Sequence, residues 1–502
     1  MTSPNARYPA DQLAKIVEPH FQRALEAENA PGIAYGLIVD GDLVHTAACG
    51  VSQIDTTDAP GPHRAFRIAS MTKSFTATTV LSLRDAGLLS LDTPVVDLVP
   101  ELAAGGPPTE EITVRHLLTM GGGFLTDDPW GDRQQDLEID AFRALLTKGV
   151  RPHLPPGDLF EYSNMGYALL GLVISAVSDL PYTEAVRQRV LEPLGLRATG
   201  FDPMALEAED VATGYVRRTA GWQEEPIAAS GAFSPMGGLL STVADLARWV
   251  GFFSSDDDDD RVIRPLSRRE MQRTQRLVGA SASRDEGAPP TVVGYGFGLF
   301  EEFTPWGRTV FHSGGYPGFG SHMRWHPASG IGIVALANGT YAPMGTVAAA
   351  ALADVVKQTG APTTPPATQI AGLDAAEAAV RRWLAADDRD GPEGEALRTL
   401  WADNVERDLP WAERLGVMAD LDDRYGPLVE VPDSTRRPSP GAVTWELEPE
   451  RDTPGDAAPQ RIRVTLMVAP HDSTLIQSLA VREVSQQQVQ QQAQPGTATD
   501  VR

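Results

Sequence analysis

The spacing of apolar and polar positions changes period several times along this chain, and those changes outline its architecture. Residues 11–28 repeat apolar side chains at helical spacing, with Pro19 a candidate kink or break. Apolar runs at 33–39 and 43–48 flank Asp40-Gly41, which predicts a β-hairpin. A helix is predicted from Ser70 through Leu88, with Met71, Phe75, Val80 and Leu81 as its buried stripe. From about Glu110 to Phe253 the pattern is mostly helical, at 114–120, 139–147, 165–177, 183–190 and 242–253. Short runs rich in aromatic and β-branched residues then predict strands at 293–303, 309–312, 321–325 and 331–337, before a helix over 344–357. Strands at both ends thus bracket a helical middle. The simplest closure is an α+β fold of sandwich type: one antiparallel sheet flanked by helices, with the helical insertion as a second lobe. A site is expected in the cleft between the lobes.

The stretch 360–366, Gly-Ala-Pro-Thr-Thr-Pro-Pro, is a linker by composition. The expected division is a first domain at 1–360, a linker at 361–370, a small α+β accessory domain at 371–484 and a disordered tail at 485–502. The small domain is read as helices at 371–386 and 394–401 and strands at 444–448, 461–469 and 474–481, with a fold-level likeness to a cystatin-like unit.

Composition narrows the function. A formal net charge of -25 argues against nucleic acid and anionic membranes as partners, since both attract a positive surface. Hydrophobic content of 42% and charged content of 22% fit a globular chain able to bury a core. The single cysteine, Cys49, allows no intrachain disulfide and reads as a small core residue. The first residues hold no apolar signal core, and the best apolar run, 169–177, is too short to span a bilayer; a cytoplasmic location is expected. Five consecutive aspartates at 256–260 read as a solvated loop, and no metal or other cofactor is expected. His322 and His326 read as residues of a strand and its turn, and Trp325 and Trp306 as core aromatics.

The chemistry concentrates in three short elements. Ser70-Met71-Thr72-Lys73 puts a hydroxyl and an amine one helical turn apart, on one face. Serine is a weak nucleophile and needs a base. Lys73 can serve if burial and the positive helix end favour its neutral form. Tyr162, in Tyr162-Ser163-Asn164, is the other candidate base, and the two would titrate as a coupled pair. Tyr162 and Asn164 fall at a loop-to-helix junction after Pro155-Pro156-Gly157, where Asn164 could equally cap the helix. His312-Ser313-Gly314-Gly315 ends an apolar strand, and its glycines would let a substrate approach the backbone. The N–H groups of Gly315 and Ser70 could together form an oxyanion hole.

These elements, in this order, resemble the serine β-lactamase and penicillin-binding-protein superfamily, and its class C-like branch of esterases and D-amino-acid peptidases most. S-x-x-K is a known motif of that superfamily. The resemblance spans roughly residues 11–357. It implies Ser70 as the acylated nucleophile, Lys73 and Tyr162 as base and proton relay, and Asn164, His312, Gly314 and Gly315 as substrate-binding positions. His312 stands where many relatives carry lysine. Histidine is mostly neutral at pH 7, which lowers the expectation of β-lactam hydrolysis and raises that of ester, amide or short D-peptide substrates. The implied activity is a metal-independent serine hydrolase, a carboxylesterase or D-amino-acid peptidase. A β-lactamase or D-Ala-D-Ala carboxypeptidase, and a ligand-binding protein of weak activity on the same scaffold, are the alternatives. No G-x-S-x-G elbow, H-E-x-x-H or P-loop supports another scaffold.

Overall fold

The computed structural model describes residues 8–207, 210–255, 258–281, 291–363, 370, 372–431, 437–450 and 461–484. Contacts divide the chain into two units, Met1–Pro365 and Pro366–Arg502.

The first unit is built on an eight-stranded antiparallel sheet. Its order is Asp42–Gly50, Gly32–Val39, Ile331–Ala337, Phe319–His326, Gly307–Tyr316, Phe300–Thr304, Thr291–Tyr295 and Arg276–Ser281. The sheet therefore closes from both ends of the unit, with Ile33 opposite Ala337 and Val39 opposite Ile331. Alternation along Gly32–Val39 feeds two cores. Ile33, Tyr35, Leu37 and Val39 join the cluster made with helices Ala10–Glu26 and Met344–Thr359. Ala34 and Ile38 join the larger cluster under the helical insertion. With both faces covered, all eight residues of this strand are buried.

Helix Thr72–Asp85 runs through the middle of the larger cluster and is buried on nearly every side, including Thr76, Thr78 and Thr79. Their hydroxyls are satisfied by backbone carbonyls: Thr78 by Ser74 at 2.8 Å, Thr79 by Phe75 at 2.9 Å and Thr76 by Pro235 at 2.7 Å. That is how a threonine-rich helix stays central without orphaned polar groups. Phe75 stacks on Trp249 at 3.9 Å between ring centroids, and the Trp249 indole N–H reaches Ser74 Oγ at 3.1 Å.

Several expectations shift. Pro19 lies inside an unbroken helix, Ala10–Glu26. The region from Ser70 is a 3-10 turn, Ala69–Met71, followed by the helix proper to Asp85. The run 293–303 is two strands around a turn at Gly298, whose φ of +69° suits glycine. A Cβ there would also lie 2.6 Å from the Lys73 carbonyl, so the turn can press on the central helix only as glycine. The strand expected to end at His312 continues to Tyr316, which puts His312 mid-strand. The helical middle also contains a hairpin, Gly214–Arg218 with Gly221–Glu225, whose polar, half-exposed residues gave no alternating signal. Cys49 and Trp306 are only partly buried against the second cluster, whereas Trp325 is in the core. His322 and His326 are buried on the Phe319–His326 strand.

The second unit packs helices Leu373–Leu384, Pro392–Arg398 and Trp411–Tyr425 with a five-stranded sheet. Its strands include Ala442–Pro449, Arg461–Val468 and Ile476–Val484. The helix at Trp411–Tyr425 was not foreseen. The 485–502 tail, most of the 361–370 linker and Asp256 and Asp257 lie outside the described residues. Among the described residues no single helix is long and apolar enough to cross a membrane.

Candidate active site

The nucleophile candidate sits at a strained entry to the central helix. Ala69, just before it, has φ +48°, a left-handed conformation that a non-glycine residue adopts at a cost of about 1 kcal/mol. Ser70 follows in the 3-10 turn and is 9% exposed, so its hydroxyl is reachable but shielded. Lys73 is fully buried, and its ammonium has three hydrogens with three acceptors. These are Ser70 Oγ at 3.0 Å, Asn164 Oδ1 at 2.7 Å and the Met236 carbonyl at 2.8 Å. Loss of one proton leaves two donors for Asn164 and Met236 and a lone pair facing Ser70 Oγ. The same geometry therefore serves both protonation states.

Burial pushes Lys73 down to about 8, against the pull of Asp128, Asp132 and Asp127, which favour its charge. Tyr162 moves the other way. Its phenol is raised well above 10, first by burial and then by the Asp128 charge, although a hydrogen bond to Ser70 opposes the shift. The Lys73 nitrogen lies 4.9 Å from the Tyr162 ring centroid, over its face. Of the two candidate bases, the amine is thus the one that loses a proton near neutral pH.

Asn164 begins helix Asn164–Ser178, and Ser163, not Asn164, is its N-cap, accepting from the Gly166 N–H at 3.2 Å. Asp127 adds a second cap from 37 residues away, taking the Asn164 and Met165 N–H groups at 2.7 and 2.8 Å. The Asn164 amide is oriented by its partners: its oxygen takes Lys73, a pure donor, and its nitrogen gives to Asp128 Oδ1 at 2.8 Å. Expected to touch substrate as well as Lys73, Asn164 is fully buried and holds the amine in place.

The Gly307–Tyr316 strand closes the other side. Its pairing with Phe300–Thr304 stops at Phe311, while pairing with Phe319–His326 continues to Tyr316. Residues 312–316 therefore have one edge without a strand partner in the described sheet. Gly314 is a packing position: a Cβ there would lie 2.2 Å from both the Ile68 carbonyl and Ser321 Oγ. Ser321 Oγ also donates to that carbonyl at 2.7 Å, so the strand is fastened to the Ser70 turn. At Gly315 a Cβ would meet the Tyr341 ring at 2.6 Å. His312, on the same face as Gly314, is 1% exposed. Its Nδ1 is 2.7 Å from the Ser313 carbonyl and must donate to it, which leaves Nε2 an acceptor without a partner among the described residues. Burial, aided by the Lys73 charge, pushes this imidazole down to about 3 and keeps it neutral.

The sequence reading missed a set of carboxylates beside these groups. Asp127, Asp128 and Asp132 come from one stretch, Asp127-Asp128-Pro129-Trp130-Gly131-Asp132. Three acids in six residues after a glycine run was the available signal. Asp132 is 3% exposed and raised to about 6, first by burial. It accepts from the Tyr341 hydroxyl at 2.6 Å. Tyr341 itself is half-exposed, with φ +51°. Among the described residues no three His, Cys, Asp or Glu side chains converge as a metal-binding set.

The sequence model named Beta-lactamase matches residues 17–357. Protein flp of Staphylococcus aureus strain N315 is 28% identical over 336 residues, 65% of this chain and 62% of that protein. The chain thus spans less than two thirds of the length of the Flp relatives. Penicillin-binding protein 4 of Amycolatopsis lactamdurans is 30% identical over 341 residues, 64% of this chain and 85% of that protein. In fold, the chain is similar to the octameric penicillin-binding protein homologue from Pyrococcus abyssi, with a TM-score of 0.60 at 22% identity, covering 94% of this chain and 96% of the other.

Proposed function

The chain belongs to the Beta-lactamase family, whose members with penicillin-binding proteins form a superfamily of serine hydrolases, and we infer that it hydrolyses ester or amide bonds through an acyl-enzyme at Ser70. The observation that carries this reading is the three-acceptor cage of a buried Lys73 whose nitrogen is 3.0 Å from Ser70 Oγ. Neutral Lys73 takes the hydroxyl proton as Oγ attacks the carbonyl carbon. The N–H groups of Ser70 and Gly315 receive the oxyanion. On collapse, the leaving alcohol or amine departs with a proton, relayed through the Tyr162 phenol, which stays protonated. Water then attacks the acyl-enzyme, its proton passing to the same base, and Ser70 is restored.

Within this class, a carboxylesterase or D-amino-acid peptidase is favoured by the neutral His312, since a substrate carboxylate would find no charge there. The likeness to a penicillin-binding protein supports β-lactam or D-Ala-D-Ala turnover as a second reading. An acylating fluorophosphonate probe with peptide mapping is expected to mark Ser70, and Ser70→Ala to abolish both labelling and turnover. Full hydrolysis by Ser70→Ala would end the reading. Parallel turnover of a nitrophenyl ester, a D-amino-acid amide and a chromogenic cephalosporin separates the two substrate readings, and labelling without turnover would favour a binding protein.

A further inference from the structure

A second cavity opens in the first unit. Its volume is about 590 Å³, within the range that holds a small organic ligand, and it shares no lining residue with Ser70, Lys73, Tyr162, Asn164 or His312. One part of its wall is the turn that continues helix Tyr182–Val186. There the chain winds as a π turn, Arg187–Leu191, and the Glu192 N–H reaches back five residues to the Arg187 carbonyl at 2.9 Å. π turns are rare and occur mostly at functional sites. Another part is the segment 199–207, which includes the 3-10 turn Pro203–Ala205. Leu191, Leu196, Phe201 and Leu206 supply the apolar surface.

Part of this wall is fastened from behind. The Thr199 hydroxyl donates to Asp245 Oδ2 at 2.9 Å and accepts from Ser241 Oγ at 2.7 Å. Gly200 exchanges both backbone hydrogen bonds with Leu240, at 3.0 and 2.8 Å. Phe201 sets its ring edge-on to the buried Tyr182, 5.4 Å between centroids. A wall held in this way is preformed, so binding requires little ordering of the protein. The charges of the lining are unbalanced. Glu184, Glu192, Asp202 and Glu207 accompany only two guanidiniums, Arg187 and Arg197, an excess of two negative charges. Arg187 is held by Glu184 and Glu192 together. Arg197 stands 3.7 Å from Glu207, and Asp202 takes the Met204 N–H at 2.9 Å. Apolar surface within a negative rim attracts a cation with an apolar body and repels an anion.

We propose that this cavity is a second ligand site, for a small monocation with an apolar body, such as an arylalkyl amine. The body rests on Leu191, Leu196, Phe201 and Leu206, and the ammonium sits among Glu192, Asp202 and Glu207. Glu184 takes no part, because Arg187 holds both of its oxygens. An ammonium donates three hydrogens in rotatable directions, which suits carboxylates drawn from separate parts of the wall. The site stands apart from the acyl-enzyme reading, which uses none of these residues.

The test uses the full chain and three matched probes, 4-phenylbutylammonium, 4-phenylbutanol and 4-phenylbutyrate, titrated calorimetrically at pH 7 and low salt. One apolar body then carries a cation, a neutral group or an anion. One equivalent of the ammonium is expected to bind, about tenfold tighter than the alcohol and about a hundredfold tighter than the carboxylate, with the gap shrinking as salt is raised. Ala205→Trp and Thr183→Trp each put an indole on the lining and are expected to weaken the ammonium at least about tenfold. Ala205 is exposed and Thr183 half-buried, so neither is a core position, and thermal melts at the wild-type midpoint show that both variants fold. Glu192→Gln combined with Asp202→Asn is expected to bring the ammonium-to-alcohol ratio to within about threefold while the alcohol binds as before. No binding of the ammonium, equal affinity for the three probes, undiminished binding in both tryptophan variants, or a cation preference that survives the double change overturns the inference. Each of these outcomes leaves acylation of Ser70 standing, since that is read separately with the fluorophosphonate probe.

Discussion

Titrating the free enzyme isolates the role of Lys73. Only its neutral form can accept the Ser70 proton. A lysine at the ordinary 10.5 would be neutral at pH 7 in roughly 3 molecules per 10,000; at about 8 the figure is roughly one in ten. Burial thus supplies about 300 times more active base, equivalent to about 3 kcal/mol. The sign follows: kcat/KM for a neutral ester rises about tenfold per pH unit below about 8 and levels above it. Tyr162, held well above 10, adds no break in that window. Because Asp132 favours charged Lys73, Asp132→Asn should move the midpoint downward, by roughly one pH unit. Lys73→Arg, which cannot lose its proton, should reduce acylation by roughly 10²–10⁴-fold at all pH values. Stopped-flow acylation with phenyl acetate from pH 6 to 9.5 provides the measurement. A flat profile, or a midpoint that moves upward in Asp132→Asn, would refute the assignment of Lys73 as base.

Other substitutions probe the supports of the site. Gly314→Val forces atoms into the 2.2 Å gap to Ile68 O and Ser321 Oγ; urea melts should show a loss of about 1–3 kcal/mol, and acylation should fall as Gly315 moves, so a variant of native stability and rate would contradict the packing account. Asn164→Ala strips Lys73 of one acceptor and Asp128 Oδ1 of its donor; kcat should fall at least roughly tenfold with KM nearly unchanged, whereas a pure KM effect would make Asn164 a substrate contact. Asp132 is harder to ionise folded than unfolded, so its contribution to stability is fully present below 3.8 and is lost as pH rises through about 6. Relative to Asp132→Asn, the wild type should therefore lose on the order of 3 kcal/mol across that window, and parallel thermal melts at pH 4 and 7.5 that keep a constant difference would exclude it.

Much of this protein was legible from short-range pattern alone. Apolar runs at 33–39 and 331–337 announced strands, and both are buried along their whole length in the sheet they share. The i, i+3 spacing of Ser70 and Lys73 placed hydroxyl and amine together, because a helical turn fixes that distance whatever surrounds it. The order of the three motifs was enough to point to the family. Where the period broke, the reading erred. The polar hairpin at 214–225 carried no alternation, and the turn at Gly298 interrupted an apolar run that looked continuous.

The protonation states and the charge of the cleft were decided only when distant segments met. Lys73 acquires acceptors 91 and 163 residues away. Asp132 finds Tyr341 209 residues later. The ease with which a group holds its proton depends on the water it has lost and on the charges now beside it, and neither quantity is a property of its neighbours in sequence. The chain's own spelling therefore fixed which chemical groups were available and how adjacent turns present them, while folding determined which amine would be neutral, which imidazole would be a bare acceptor and which carboxylates would act on the buried amine.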